Sequence, residues 1–309
     1  MSKVAFLFPG QGSQFAGMGK ALAQQFPSAA RVFEEADDAL GFSISNLCFE
    51  GPDDQLRLTE NTQPALVTVS IAALAVLKEH GFQADYVAGH SLGEYSALVA
   101  AGSLRLADAV RLVKNRGRYM QEAVPPGVGA MAALLRLPDG KLERILQEAA
   151  QGEVVSAANM NSPEQLVIAG NASAVKRAAD LAKAAGAKRA VLLPVSAPFH
   201  CALMNPAQAR LKEDLDRTEF ADLAVPLVNN FEGREIRTGS EARDGLYGQV
   251  PNPVRWVESI RYLASQGVTR CYEIGAGSVL TGLLNIIDGT VQGFKFGEPS
   301  DLEKLAGSA

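Results

Sequence analysis

Hydrophobic positions along the chain alternate between two periods, and each switch marks an element. Residues 4–8 form an unbroken apolar run stopped by Pro9-Gly10, which predicts a strand buried on both faces; the next helical pattern opens near Met18. Residues 65–78, led in by Asn61-Thr62-Gln63-Pro64, predict a helix with proline near its first turn and a stop at His80-Gly81. A short strand at 86–88 and a helix at 94–101, closed by Gly102, come next. Along the helix predicted at 108–122 and just ahead of it, the positions Leu106, Val110, Val113, Gly117 and Met120 are four and three apart in alternation, which lays down one apolar stripe. Pro125-Pro126-Gly127 ends it.

Beyond that break the order of elements changes. Strands are predicted at 128–135, 154–158, 165–169 and 189–195, with helices at 141–150 and 174–185. This β-α-β-β-α-β order is the ferredoxin-like split unit, which can close a small core of its own. A helix at 203–217, a strand at 225–229, a helix at 254–265, a strand at 270–274 and a helix at 279–287 follow. The two flanking parts therefore read as one discontinuous α/β domain, residues 1–126 and 197–309, divided by an inserted small domain at 127–196. A length of 309 residues suits two such lobes.

Composition narrows the function classes. With 47% hydrophobic and 20% charged residues the chain can bury a large core and is not disordered. A net charge of −5 argues against a nucleic-acid surface, since phosphate binding needs concentrated Lys and Arg; any basic patch must be local. The longest apolar stretch, 64–77, is interrupted by Thr68 and Ser70 and falls short of the roughly 20 residues that span a bilayer, so no membrane association is expected. The apolar block near the start is too short for a secretory signal, and a cytoplasmic location is expected. Cys48, Cys201 and Cys271 are odd in number and widely spaced, which suits neither a disulfide framework nor a zinc site. The dinucleotide pattern G-x-G-x-x-G fails at Phe15 and again at Leu280, and no Walker lysine occurs. No cofactor and no metal are expected.

The strongest chemical signal is Gly89-His90-Ser91-Leu92-Gly93, a G-x-S-x-G nucleophile elbow placed after a predicted strand and before a predicted helix. The glycines allow a sharp turn that projects the Ser91 hydroxyl, and the Leu92 amide at the helix start can donate to an oxyanion. A glycine-rich turn with a helix-capping serine is the structural alternative. A serine nucleophile needs a base, and the chain has three histidines. His80 sits at a helix C-terminus, where it suits the dipole. His90 adjoins the serine on the elbow, where its side chain points away. His200 is left, in a loop after Pro194-Val195-Ser196-Ala197-Pro198-Phe199 and downstream of the serine. Gln11, between Gly10 and Gly12 just after the first strand, offers a second oxyanion amide. On the helical wheel Arg111, Lys114 and Arg118 share one polar flank, whereas Arg116 falls on the other beside Met120. An inward guanidinium is costly without an anion, so an internal carboxylate or an acidic substrate should pair with it.

Taken together, Gly10-Gln11-Gly12-Ser13-Gln14, Gly89-His90-Ser91-Leu92-Gly93-Glu94, Arg116 and Pro198-Phe199-His200 resemble the malonyl-CoA:acyl-carrier-protein transacylase family. The likeness extends through Asn61-Thr62-Gln63-Pro64-Ala65 and Gln249-Val250-Pro251-Asn252-Pro253-Val254-Arg255-Trp256. It implies an α/β-hydrolase-like large domain with a ferredoxin-like small domain, and malonyl transfer from malonyl-CoA to the phosphopantetheine thiol of acyl carrier protein in fatty-acid biosynthesis. By the same resemblance Ser91 is the nucleophile, His200 the base, the Gln11 and Leu92 amides the oxyanion hole, and Arg116 the malonyl carboxylate clamp. The Gln249 carbonyl would orient His200 in place of a triad acid, and Phe199, Met120, Gln63 and Asn159 would line the acyl pocket. One departure is Ala276, where the family usually has proline. The carrier would dock on a local basic patch, either Arg111, Lys114 and Arg118 or Lys176, Lys183, Lys188 and Arg189. A monomer is expected. The other readings are an acyltransferase of a polyketide pathway, a serine esterase or thioesterase, and a non-catalytic carrier-binding module.

Overall fold

A computed structural model describes residues 2–195 and 197–306. Their strands are β1 (Lys3–Phe8), β2 (Tyr86–Gly89), β3 (Gly129–Leu135), β4 (Val155–Ser162), β5 (Gln165–Asn171), β6 (Arg189–Leu192), β7 (Leu227–Val228), β8 (Glu235–Ile236), β9 (Val268–Ile274) and β10 (Gln292–Phe296). The larger sheet has the order β10-β9-β1-β2-β7-β8 and is parallel except for β8, which turns back on β7. Central β1 explains its own sequence. Ala5 and Leu7 enter one core with Trp256, Ile260 and Leu284, while Phe6 and Phe8 enter the other, against helices Thr59–Glu79 and Leu106–Glu122. Because helices cover both faces, the buried positions from Ala5 to Phe8 cannot alternate to polar.

The smaller sheet, β4-β5-β3-β6, is antiparallel throughout and has the predicted ferredoxin-like order. One face, with Ala132, Leu134 and Ile168, packs on helices Leu142–Ala150 and Ala172–Ala184. The other, with Met131, Ala133, Val167 and Ala169, joins the main core. This second face walls the cleft described below. Strand β4 is also tied to the chain ahead of helix Trp256–Ser265: the Met160 amide donates to the Val254 carbonyl at 2.9 Å, and the Val254 amide to the Ala158 carbonyl at 2.9 Å.

Several boundaries differ from the periodic reading. The helix expected at 65–78 begins at Thr59, so Pro64 lies inside it. Packing supports the extra turn: a Cβ on Gly117 would come within 2.6 Å of the Thr59 carbonyl oxygen, so only glycine lets helix Leu106–Glu122 cross there. Strand β6 stops three residues short of 195, β7 has two residues where 225–229 was expected, and β4 and β5 run longer than expected. Strand β10 and helix Gly239–Gln249 have no counterpart in the periodic reading. The helix had a local signal, because Thr238 and Glu241 form a capping box, but glycines at 239, 245 and 248 mask its propensity. Ser196, in the loop expected ahead of His200 and at the proposed domain boundary, lies outside the described residues. Among the described residues no helix is long and apolar enough to cross a membrane, and no group of three or more His, Cys, Asp or Glu side chains could hold a metal ion.

Candidate active site

The end of β2 and the start of helix Gly93–Ala100 are joined by a turn in which Ser91 has φ 51°, a left-handed conformation unusual for a residue with a side chain. Close packing holds it there. A Cβ on Gly89 would lie 2.0 Å from the Gly93 carbonyl, and one on Gly93 would lie 2.1 Å from the Phe8 carbonyl oxygen at the end of β1. Gly93→Ala is therefore expected to lower stability by about 1–3 kcal/mol or more through overpacking against backbone that cannot give. A urea titration with an unchanged midpoint would refute that expectation. Asn230, from the loop after β7, completes the clamp. Its Oδ1 accepts from the Ser91 amide at 2.6 Å and its Nδ2 donates to the Gly89 carbonyl at 2.7 Å.

Ser91 Oγ lies 2.7 Å from His200 Nε2, and His200 Nδ1 lies 3.0 Å from the Gln249 carbonyl oxygen. A carbonyl only accepts, so Nδ1 carries the hydrogen and Nε2 is left to accept from the serine. His200 is itself left-handed, with φ 60°, and buried. Burial, followed by the nearby Arg116 charge, pushes its pKa down to about 3, so the ring is neutral at neutral pH. The hydrogen bonds of its ring reach Ser91 and Gln249 and no carboxylate among the described residues. The other two histidines have other partners, although the His90 ring also lines the cleft described next. His90 Nε2 lies 2.8 Å from Asn161 Oδ1, with its ring edge-on to Trp256, and His80 Nδ1 lies 2.8 Å from the Val76 carbonyl oxygen.

Arg116 is 1% exposed, as its wheel position suggested, while Arg111 and Arg118 on the same helix are exposed. Its Nη1 donates to Gln63 Oε1 at 2.9 Å; its Nη2 donates to Gln249 Oε1 at 2.8 Å and to Ser91 Oγ at 3.1 Å. Nε is buried with no hydrogen-bond partner among the described residues. Among the described residues no carboxylate forms an ion pair with this guanidinium. Its partners are neutral amides and the nucleophile, an arrangement that leaves a buried cation facing a cleft.

That cleft has a volume of about 140 Å3 and brings together most of the residues singled out from the sequence. Ser91, His200 and Arg116 line it, with Gln11, Leu92, Met120, Phe199, Gln63 and Asn159. Gln249 does not: it is fully buried one layer behind and reaches the site through hydrogen bonds. Among the described residues, the backbone amides of Gln11 and Leu92 donate to no protein acceptor, as an oxyanion hole requires. Next to it a cleft of about 310 Å3 shares Gln11, His90 and Asn159 and reaches Gln165, which also lines an outer depression carrying Arg136, Lys188 and Arg189. Sequence reasoning assigned no role to Asn230 or Glu94. Nothing local marks Asn230; Glu94 was quoted within the elbow motif, yet its partners lie at 230 and 249.

Comparison with known proteins agrees with this geometry. The acyl transferase domain family matches residues 5–292. The malonyl CoA-acyl carrier protein transacylase of Escherichia coli O157:H7 is 50% identical over 301 residues, covering 97% of each chain. The protein of that name from Bacillus subtilis (strain 168) is 48% identical over 304 residues, covering 98% of this chain and 96% of its own. Among solved structures, an acyl carrier protein S-malonyltransferase from Vibrio cholerae O1 biovar eltor superposes with a TM-score of 0.96 at 45% identity, covering 98% of this chain and all of that one. A malonyl-transacylase solved in complex with its type II PKS acyl-carrier protein superposes with a TM-score of 0.97 at 45% identity, covering both chains fully. By a family match over most of its length and by relatives about half identical from end to end, this chain belongs to the malonyl CoA-acyl carrier protein transacylase family of acyl transferases.

Proposed function

We propose that the chain moves a malonyl group from malonyl-CoA to the phosphopantetheine thiol of acyl carrier protein through an ester on Ser91, in fatty-acid biosynthesis. The observation that carries this reading is Arg116, a buried cation that forms no ion pair with a carboxylate among the described residues and opens onto the cleft of an activated serine. A neutral ester would leave that charge without a carboxylate in direct contact, Glu94 being separated from it by Gln249; a malonyl thioester supplies one.

The steps follow from the hydrogen bonds. His200 Nε2 takes the Ser91 hydroxyl proton as Oγ attacks the thioester carbon, and the resulting oxyanion is met by the Gln11 and Leu92 amides. As the C–S bond breaks, the proton passes from His200 to the coenzyme A sulfur, leaving malonyl-serine. The carrier's thiol then gives its proton to His200 and attacks the ester carbonyl; collapse of the second tetrahedral intermediate returns that proton to Ser91 Oγ. The Gln249 carbonyl holds the Nδ1–H throughout. Arg116 turns its Nη2 from Ser91 Oγ to the malonyl carboxylate, while Nη1 stays on Gln63. The outer depression, where Lys188 and Arg189 lie beside an Arg136–Glu164 ion pair, suits the phosphates of both thiol carriers through Lys188 and Arg189, which favours the second basic patch over Arg111, Lys114 and Arg118 for docking. The catalytic domain in this reading comprises residues 1–126 and 197–309, with 127–196 inserted. Three free, buried cysteines suit a reducing cytoplasm.

Intact-mass analysis tests the proposal. Malonyl-CoA alone should add one malonyl group to the protein, and holo acyl carrier protein should then remove it and become malonylated. Loss of the ester to water as fast as to the carrier would favour a thioesterase. In single turnovers, acylation should stay flat from about pH 8 to about pH 5, because a base whose pKa is pushed down to about 3 remains unprotonated across that window. A base with the ordinary value near 6.5 would lose rate roughly tenfold by about pH 5.5.

A further inference from the structure

Glu94 is fully buried in the first turn of helix Gly93–Ala100, and no step above uses it. Its Oε2 accepts from Gln249 Nε2 at 2.8 Å and from the Asn230 amide at 3.0 Å; its Oε1 is buried without a partner among the described residues. Gln249 connects this carboxyl to the rest of the site. Its Nε2 also donates to the Ser91 carbonyl at 3.0 Å, its Oε1 accepts from Arg116 Nη2, and its own carbonyl takes His200 Nδ1. The amide can therefore adopt one orientation only. The accepting oxygens of Glu94, at 2.8 Å, and of the Ser91 carbonyl, at 3.0 Å, together draw the NH2 group, which turns the amide oxygen toward the guanidinium; the reverse would set donor against donor at Arg116 and acceptor against acceptor at both oxygens.

We propose that Glu94 is a positioning residue that acts through Gln249, fixing with the Ser91 carbonyl the amide orientation that holds Arg116 ready for the substrate carboxylate; this rests on the malonyl-transfer reading of the site. Burial pushes the Glu94 carboxyl up to about 7, against the two hydrogen bonds and the Arg116 charge. A proton would sit on the unpartnered Oε1 and leave Oε2 accepting, so the latch holds in both forms.

The test compares kcat and KM for malonyl-CoA and acetyl-CoA in Glu94→Gln, Glu94→Ala and Glu94→Leu, with a thermal midpoint for each. Glu94→Ala should lose about tenfold or more in kcat/KM for malonyl-CoA, chiefly through KM, and change less than about threefold for acetyl-CoA, which has no carboxylate to place. Glu94→Leu fills the volume without an acceptor and should behave alike. Glu94→Gln can keep an oxygen in the Oε2 position and should restore malonyl transfer to within about threefold of wild type. Equal losses for both substrates, or an unshifted ratio in the folded variants, would overturn the proposal. So would failure of both apolar variants to fold while Glu94→Gln folds, since the carboxyl would then serve the fold. If wild-type protein takes no malonyl label, the functional reading itself fails; a labelled wild type with an unshifted ratio removes Glu94 alone.

Discussion

Ser91→Ala protein mixed with malonyl-CoA is expected to keep its mass unchanged while wild type gains a malonyl group. The hydroxyl is the only atom of this side chain that meets both His200 and Arg116, and its removal leaves the base without a proton to take. By analogy with other serine nucleophiles, turnover should fall by roughly 10⁶-fold. The fold should survive. Alanine loses one oxygen and opens no large cavity, the Asn230 clamp acts on backbone groups, and Arg116 keeps Gln63 and Gln249 as partners. A malonyl group recovered on another residue of the variant would remove Ser91 from the mechanism. A lowered thermal midpoint would require the comparison to be made below it.

The second large effect concerns Arg116. Replacing it with alanine is expected to reduce kcat/KM for malonyl-CoA by about 2–5 kcal/mol, the range for truncating one member of a buried charge pair. Acetyl-CoA transfer should stay level or rise, because the wild-type acetyl complex retains a buried cation with no anion to meet it. Lysine should not rescue malonyl transfer. Arg116 holds Gln63 with Nη1 while Nη2 faces Gln249 and Ser91, and a single ammonium cannot reproduce that fork from the same Cα position. The measurement is the malonyl-to-acetyl ratio of kcat/KM in wild type, Arg116→Ala and Arg116→Lys. An unchanged ratio in both variants would mean that the carboxylate is recognised elsewhere.

Ser91 and Arg116 are both legible in the amino-acid sequence, and Gln249 makes an instructive contrast. Gly89 to Gly93 could be read because an elbow is local: a strand, a tight turn and a helix within a dozen residues. Arg116 could be singled out because helical geometry separates it from Arg111, Lys114 and Arg118, and burial follows that separation. His200 emerged by elimination among three histidines. Gln249 came from family likeness alone. It ends a helix whose glycines hid it from the periodic reading, and it acts partly through a backbone carbonyl, which every residue possesses.

By itself the amino-acid sequence determined most of the strands and helices that carry the site, the ferredoxin-like order of the smaller sheet, the strained turn at Ser91 and the inward face of Arg116. Each depends on interactions within a few residues or on a repeating period. Tertiary structure alone decided that residues 91, 94, 116, 200, 230 and 249 share one hydrogen-bonded cluster. All but one of those contacts, that between His200 and Gln249, join positions more than a hundred residues apart, and neither composition nor periodicity carries their register. They form only when the parallel sheet aligns the ends of β1, β2 and β7 beside the buried face of helix Leu106–Glu122. The same assembly set the start of helix Thr59–Glu79, where packing against Gly117 outweighed the local preference of Pro64.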